Sequence, residues 1–410
     1  MASPVVTEAS PAKTTFLDVL AVREYRALWL AQLASVAGDQ LARIALGVLV
    51  YDRTRSALLA AVTFAVTTGA MAAGALFLSW TADRYPRRAV MLVSDLACTA
   101  LVLVMTVPGV PLAVLVVLLF AVGLAFEPFL SARMAVNRDV LGSRRFPLGL
   151  SVTLTTYQVA QLGGFAAGGV IVGLAGVRTS LLIDAGSFAV SFLLIRLGVR
   201  HHPVPAARPG AGPQIRAGLR LVLVSPAART AMGLLCLTAF FAAPEGVMVP
   251  LARQYGGGPA AVGVLFAAST AGAAAGMAGW TRLLAPERLT RLAAVLAGLA
   301  CAFLTLLAFP SGLAGALAVL AVSALFAGYI PAVSGVLMDA IPDEHRGKVS
   351  GLMGAGMSLG QGAGMIAAGA LASRVAPSLA IAMLGAAGTA AAVALAGAWR
   401  RVVPGVLLSR

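Results

Sequence analysis

The chain has 410 residues, 60% of them apolar and only 11% charged, a composition that excludes a disordered protein. Its mean hydropathy of +0.94 exceeds what a water-soluble domain hides in one core, whereas twelve membrane helices at about 20 residues each would take roughly 240 residues. The net charge of +15 would suggest nucleic acid in a soluble protein, but the arginines fall in short clusters between apolar runs and form no single basic face, which argues against that partner.

Residues 1–24 read as a polar tail without the basic start, short apolar stretch and small-residue cleavage site of a secretory signal, so the first hydrophobic segment is expected to stay in the membrane. Twelve apolar runs follow, beginning near Tyr25, Ala57, Ala89, Pro111, Leu148, Thr179, Thr230, Ala260, Thr290, Leu313, Lys348 and Ala376. Their connecting loops alternate in charge. One side holds 24 of the 30 basic residues, the other only Arg53, Arg55, Arg178, Arg253 and Arg374, and Arg43 lies inside a span. By the positive-inside rule both termini are cytoplasmic. Trp29, Trp80, Trp280 and Trp399 fall at the same ends, where an interfacial aromatic belt is expected.

The segment 200–226, rich in Pro, Gly and Arg, is expected to be a solvated cytoplasmic linker. It divides a first six-helix half, residues 25–199, from a second, residues 227–400, and a tail at 401–410 follows. A constant offset of 200 residues supports duplication: Trp80-Thr81 matches Trp280-Thr281, Asp139 matches Asp339, Gln161 matches Gln361, and Gly169 matches Gly369. The fold class is therefore all-α, with twelve transmembrane helices in two pseudo-symmetric halves.

Neither the cysteines, Cys98, Cys236 and Cys301, nor the histidines, His201, His202 and His345, have metal-ligand spacing. No metal, cofactor or Ser/His/Asp constellation is expected, and the chain reads as a non-enzyme. A charge near mid-membrane costs about 2.5–3.5 kcal/mol on insertion scales, so each one needs a partner, a wet cavity or a function. Asp39 lies about 21 Å into the first span, with Arg43 one turn on at i+4. An acid whose arginine can move on and off it is a workable proton carrier, so Asp39 and Arg43 are proton-coupling candidates. Glu245 follows Pro244, whose missing N–H opens the helix. Glu127, before Pro128, and Arg133 complete that set. Asp95 and Asp184 fall near the expected span ends, where interfacial or structural roles suit them equally. Gln32, Gln40, Gln158, Gln161 and Gln361 are the substrate-cavity candidates, and Gly164, Gly168 and Gly169 permit close helix packing.

The stretch Asp83-Arg84-Tyr-Pro-Arg87-Arg88, between the second and third spans, resembles the G-x-x-x-D-R-x-G-R-R loop signature of the major facilitator superfamily, with Ser79 and Pro86 where that family usually has Gly. In the fifth span, Ala160-Gln-Leu-Gly-Gly164-Phe165-Ala-Ala-Gly168-Gly169 resembles the antiporter signature G-x-x-x-G-P-x-x-G-G, with Ala160 in place of the first Gly and Phe165 in place of Pro. Arg26-Ala-Leu-Trp29 running to Gly38-Asp39-Gln40, Asp184-Ala-Gly-Ser-Phe188 and Pro244-Glu245-Gly246 are similar to the twelve-span branch that includes macrolide efflux and enterobactin export proteins. Asp83, Arg84, Arg87 and Arg88 then make a conformational latch, a carboxylate meeting a helix dipole beside an arginine cluster.

The resemblance implies proton-driven export of a lipophilic or amphipathic small molecule by a monomer in a bacterial cytoplasmic membrane. The proton gradient is the energy source, and protons and the lipid bilayer are its other partners. No Walker sequence supports ATP-driven transport. The competing readings are a symporter or facilitator for a small nutrient, and a transport-dead membrane sensor.

Overall fold

The computed structural model describes residues 15–78, 80–201, 214–309, 312–342 and 345–408. The side chains of Asp83, residues 214–217, Lys348 and residues 405–408 lie outside the described set, as do His202 and Arg208 of the expected linker. Among the described residues the chain is helical, without strands.

Helix α1, Arg23–Thr54, ends at Arg55, whose left-handed φ of 54° turns the chain and whose N–H donates to the Tyr51 carbonyl at 2.7 Å. Helix α2, Ala57–Phe77, starts under a Ser56 side-chain cap on the Leu59 N–H, and α3 is Arg87–Met105. The next 87 residues, Leu112–Gly198, form a helical stretch broken at two glycines. At 1.5 Å per residue it would be about 130 Å long, several times the bilayer core. Gly142 (φ 65°, ψ 172°) and Gly176 (φ 80°, ψ 172°) interrupt it in a region closed to most side chains. Across these glycines the chain reverses, giving α4 (112–141), α5 (143–175) and α6 (177–198). The pairing across helices agrees: Tyr25 meets Gly149 and Leu41 meets Gly168, so α1 and α5 run the same way, while Arg88 meets Arg196 and Asp95 meets Ser191, so α3 and α6 run oppositely.

The second six are α7 (Pro226–Gln254), α8 (Pro259–Leu283), α9 (Pro286–Ala308), α10 (Gly312–Asp339), α11 (Arg346–Ala372) and α12 (Pro377–Leu408). Nine described stretches are long and apolar enough to cross a membrane. The two glycine reversals divide one of them into three, and the 27-residue α11 completes twelve. The fold is an all-helical, twelve-span membrane protein.

Helix α5 begins about a turn before its expected start and α3 and α6 two residues before theirs, because Arg87, Arg88, Arg144, Arg145 and Arg178 are inside helical turns. A long charged side chain at a helix end reaches water while its backbone stays helical, so charge does not mark the boundary. Residues 214–224, expected in the solvated linker, form a helix whose Val222 is buried against the second bundle. Helix α12 likewise continues through 401–408.

The tryptophan belt also needs correction. Trp399 is 0% exposed and donates its indole N–H to the Thr290 carbonyl at 2.9 Å, and Trp29 is half-buried against Thr156. Both fasten helices, since a buried indole N–H needs an acceptor. Ahead of α1, the short helix Phe16–Leu20 is held by a Thr15/Asp18 capping box, whose Thr15 N–H and hydroxyl keep the Asp18 carboxyl below its usual range.

Buried side chains sort by depth. At the end carrying the arginine-rich loops, the basic end, one cluster belongs to α1, α3, α4 and α6 (Leu28, Met91, Phe129, Val136, Ile195) and another to α7, α9, α10 and α12 (Leu234, Leu296, Val333, Leu337, Trp399). At the far end one cluster draws on both bundles, joining Ile44, Val48, Phe64 and Phe165 to Val247, Val249, Leu265, Phe266 and Met365. Phe165 stacks on Phe266 with centroids 4.6 Å apart, and Phe64 lies 5.4 Å from the same ring. The two bundles are thus cemented at the far end and packed separately at the basic end.

Candidate functional site

The polar centre of the molecule is built around Arg43 of α1. The i+4 spacing offers Arg43 to Asp39, yet no ion pair closes between them. Gln40 stands between, donating its amide to Asp39 Oδ2 at 3.2 Å and accepting from Arg43 at 3.3 Å. Arg43 instead reaches Glu245 Oε2 of α7, 3.8 Å away, and lies over the Phe64 ring at 5.9 Å. Glu245 comes within reach because α7 is not one helix. It breaks at Phe241, runs as a 3₁₀ turn over Ala243–Val247 and resumes at Met248, as a proline without an N–H requires. At the far rim a second cross-bundle pair joins Arg253 to both oxygens of Asp52 at 3.1 Å.

Asp39 and Arg43 line a small cavity with Leu46, Thr67, Leu181 and Asp184. The cavity, about 20 Å³, has room for a single water. Asp184 was not expected here. It is 1% exposed, and Gly38 makes room for it: a Cβ on Gly38 would stand 2.8 Å from Asp184 Oδ1 and 2.3 Å from Ser187 Oγ. Asp95 is likewise 1% exposed and accepts from Ser191 Oγ at 2.7 Å. Neither lies at a span end. The missed signal is that Asp184, Ser187 and Ser191 recur at i, i+3 and i+7, one polar face of an otherwise apolar helix.

Glu127 of α4 lies against Gly74 of α2, where a Cβ would come 2.7 Å from the Glu127 Cβ. It does not pair with Arg133, because six residues along a helix leave two side chains on different faces. Arg133 is 5% exposed, stands over the Phe129 ring at 5.9 Å and has a buried Nε without a partner. Tyr157 of α5 lies within electrostatic reach of Arg43, Asp39, Glu245 and Arg133. Among the glutamines, Gln32 is buried and donates to the Thr153 carbonyl at 3.2 Å, tying α1 to α5. Gln158 and Gln161 on α5 and Gln361 on α11 are half-buried.

Of the loop residues Asp83 to Arg88, Arg84 lies over Trp80 at 5.8 Å. Arg87 pairs with Asp139 at the end of α4, and Arg88 donates to the Arg196 carbonyl at the end of α6. These contacts tie the loop to its own bundle. The glycines divide differently. Gly164 and Gly168 seat α5 against Ala37, Gln40 and Leu41 of α1, within the first bundle. Gly169 meets Gly263 of α8, and Gly369 meets Ala57 and Ala61 of α2, across the bundles. Among the described residues no group of three His, Cys, Asp or Glu is placed to hold a metal.

Comparison with known proteins agrees with this architecture. The chain is 29% identical over 364 residues to the multidrug efflux pump Tap of Mycolicibacterium fortuitum, covering 83% of this chain and 87% of that one. It is 26% identical over 366 residues to the enterobactin exporter EntS of Escherichia coli O1:K1 / APEC, covering 86% of each. Among solved structures it resembles a POT family transporter in complex with 5-aminolevulinic acid (TM-score 0.76, 11% identity, 97% of this chain and 98% of that one). It also resembles an inward-facing bacterial homolog of the human lysosomal transporter Spinster (TM-score 0.68, 15% identity, 94% of each). At such identities these two speak for the fold alone. The sequence profile of the Major Facilitator Superfamily matches residues 28–328 and 246–407, and the chain belongs to that family.

Proposed function

We propose that the protein is a secondary active transporter that exports a lipophilic or amphipathic organic compound in exchange for protons, by alternating access, as a monomer in a bacterial cytoplasmic membrane. The observation that carries this reading is the Arg43–Glu245 contact between the bundles, made while Asp39 waits one turn away. Arg43 has two carboxylates to choose from, one on its own helix and one on the opposite bundle. When a proton neutralises Asp39, Arg43 is released to Glu245 and the far end is held shut. When the proton leaves, Asp39 competes for Arg43 and the cross-bundle contact weakens. A proton thereby biases two packings, which is what coupling requires. The same arithmetic gives the drive: one charge crossing 100 mV is worth about 2.3 kcal/mol.

The relatives' names support export, and the sequence neighbours of Gln158, Gln161 and Gln361, chiefly Gly, Ala, Val and Leu, suit a cargo with few hydrogen-bonding groups. In purified protein reconstituted into liposomes, an imposed pH step should drive accumulation of a hydrophobic drug. Asp39→Asn should abolish that accumulation while downhill exchange of the drug persists. Accumulation by the variant at the wild-type level would return Asp39 to a packing role.

In this reading the basic end is cytoplasmic, so the described conformation is open inward. In a background with Cys236 replaced, Gly210→Cys in the linker should react with an impermeant maleimide only after the cells are permeabilised. Labelling in intact cells would invert the topology. The Asp83 to Arg88 loop then acts as a latch for the outward-open state, released here and held by Asp139 and Arg196 of its own bundle.

A further inference from the structure

Resting on the proton-driven reading above, we propose that protons travel between the Asp39 cavity and the basic end through the interior of the first bundle, carried by Asp184 and Asp95 along the polar face of α6, apart from the cleft between the bundles that takes the cargo.

The path is laid out on one helix face. Asp184 lines the cavity with Asp39 and Arg43. Ser187 donates to the Asp184 carbonyl at 2.8 Å and lies 3.4 Å from its carboxylate. Ser191, one turn further, donates to Asp95 Oδ2 at 2.7 Å. Measured along the helices, Asp184 stands about 21 Å and Asp95 about 12 Å from the basic end, at 1.5 Å per residue. The two serines span the interval between them. Asp95 Oδ1 is buried without a partner, and among the described residues no cation pairs with Asp95. A permanently charged carboxylate left so would cost several kcal/mol, whereas one that trades a proton with a neighbour has a use for the open position.

The groups facing these acids are few. Asp39 and Arg43 of α1 face Asp184; Cys98 of α3 lies within electrostatic reach of Asp39, Asp95 and Asp184; α2 supplies Thr67, and α4 supplies Leu119 and Val122. Packing symmetry does not account for the stripe. The helices of the two bundles correspond at an offset of 200 residues, α6 starting at 177 and α12 at Pro377. At that offset Asp95, Asp184, Ser187 and Ser191 are replaced by Val295, Leu384, Ala387 and Ala391. The same bundle architecture is therefore built without these groups in the second half.

The test is proton flux in liposomes containing a pH-sensitive dye, measured beside substrate binding and substrate–substrate exchange. Asp184→Asn and Asp95→Asn should each slow pH-driven transport by about a hundredfold or more, the scale of losing a proton-transfer group, with binding and exchange within about twofold of wild type. Ser191→Ala, which removes one hydroxyl and threatens folding least, should slow proton uptake by about threefold, the scale of one lost hydrogen bond. Asp95→Glu should recover most of the rate. Wild-type pH-driven rates in Asp184→Asn or Asp95→Asn would overturn the path and leave the proton-driven reading standing. No pH-driven flux in the wild-type protein, or flux that follows a sodium gradient instead, would remove that reading and the path together.

Discussion

A Gly263→Val substitution should abolish transport and leave the protein with its far end open. Gly263 of α8 lies so close to α5 that a Cβ would sit 2.5 Å from the Phe165 carbonyl oxygen and 2.8 Å from the Gly169 Cα. Those atoms are backbone and cannot swing aside, so the helices would have to part. Overpacking of this kind costs about 1–3 kcal/mol or more. The cost falls only on the state in which α5 and α8 touch, so the equilibrium moves by about tenfold for each 1.4 kcal/mol. Pulsed electron paramagnetic resonance between spin labels at the two rims should show the far rim widened and the basic rim narrowed relative to wild type. Wild-type distances with wild-type transport would mean that this contact does not govern closure. Gly169→Ala, whose Cβ would come 2.6 Å from the Pro259 carbonyl, should give a milder version of the same shift.

Removing the central cation should be as damaging by a different route. Among the described residues Arg43 is the only basic one lining the cavity that Asp39 and Asp184 share, and it also reaches Glu245. Arg43→Gln leaves Asp39 and Asp184 on a cavity with room for one water, and Glu245 across the bundles, without that cation. Breaking a fully buried ion pair from one side costs about 3–5 kcal/mol; this pair, 3.8 Å long with the Glu245 side chain 34% exposed, costs less, yet still a real share of the stability of most folds. The variant is expected to reach the membrane at a small fraction of wild-type abundance and to melt earlier in a detergent thermal-shift assay. Adding Asp39→Asn or Glu245→Gln should recover abundance without recovering pH-driven transport. If Arg43→Gln is as abundant and as thermally stable as wild type, the site does not depend on its charge balance.

The spans were legible in the sequence because a membrane imposes length and hydropathy directly, and the alternating arginine loops gave an independent count. Depth was harder to read. Asp95 and Asp184 lie only about six and five residues into the runs that begin at Ala89 and Thr179, which reads as interfacial; what encloses them is the bundle packed around them, with Ser191 on Asp95 and Gly38 against Asp184. The contact of Arg43 with Glu245 joins residues about 200 positions apart, and nothing local distinguishes it from the i+4 pairing with Asp39. Phe165, which reads as a departure from a proline-bearing motif, fills the far-end aromatic cluster against Phe266. That partner is visible only once α5 and α8 are packed.

All four indole rings lie at the basic end. Trp29, Trp80, Trp280 and Trp399 donate to Thr156, Phe77, Leu325 and Thr290, and the sealed end contains none. Intrinsic ultraviolet emission is thus a native optical reporter for one gate alone. Trp399, fully enclosed, supplies a blue-shifted background insensitive to aqueous quenchers. Trp80, 39% exposed beside Tyr85 and Arg84, supplies the quenchable fraction. Replacing Trp399 by phenylalanine would sharpen the signal, so that opening and closing at this end can be followed in real time on unlabelled protein.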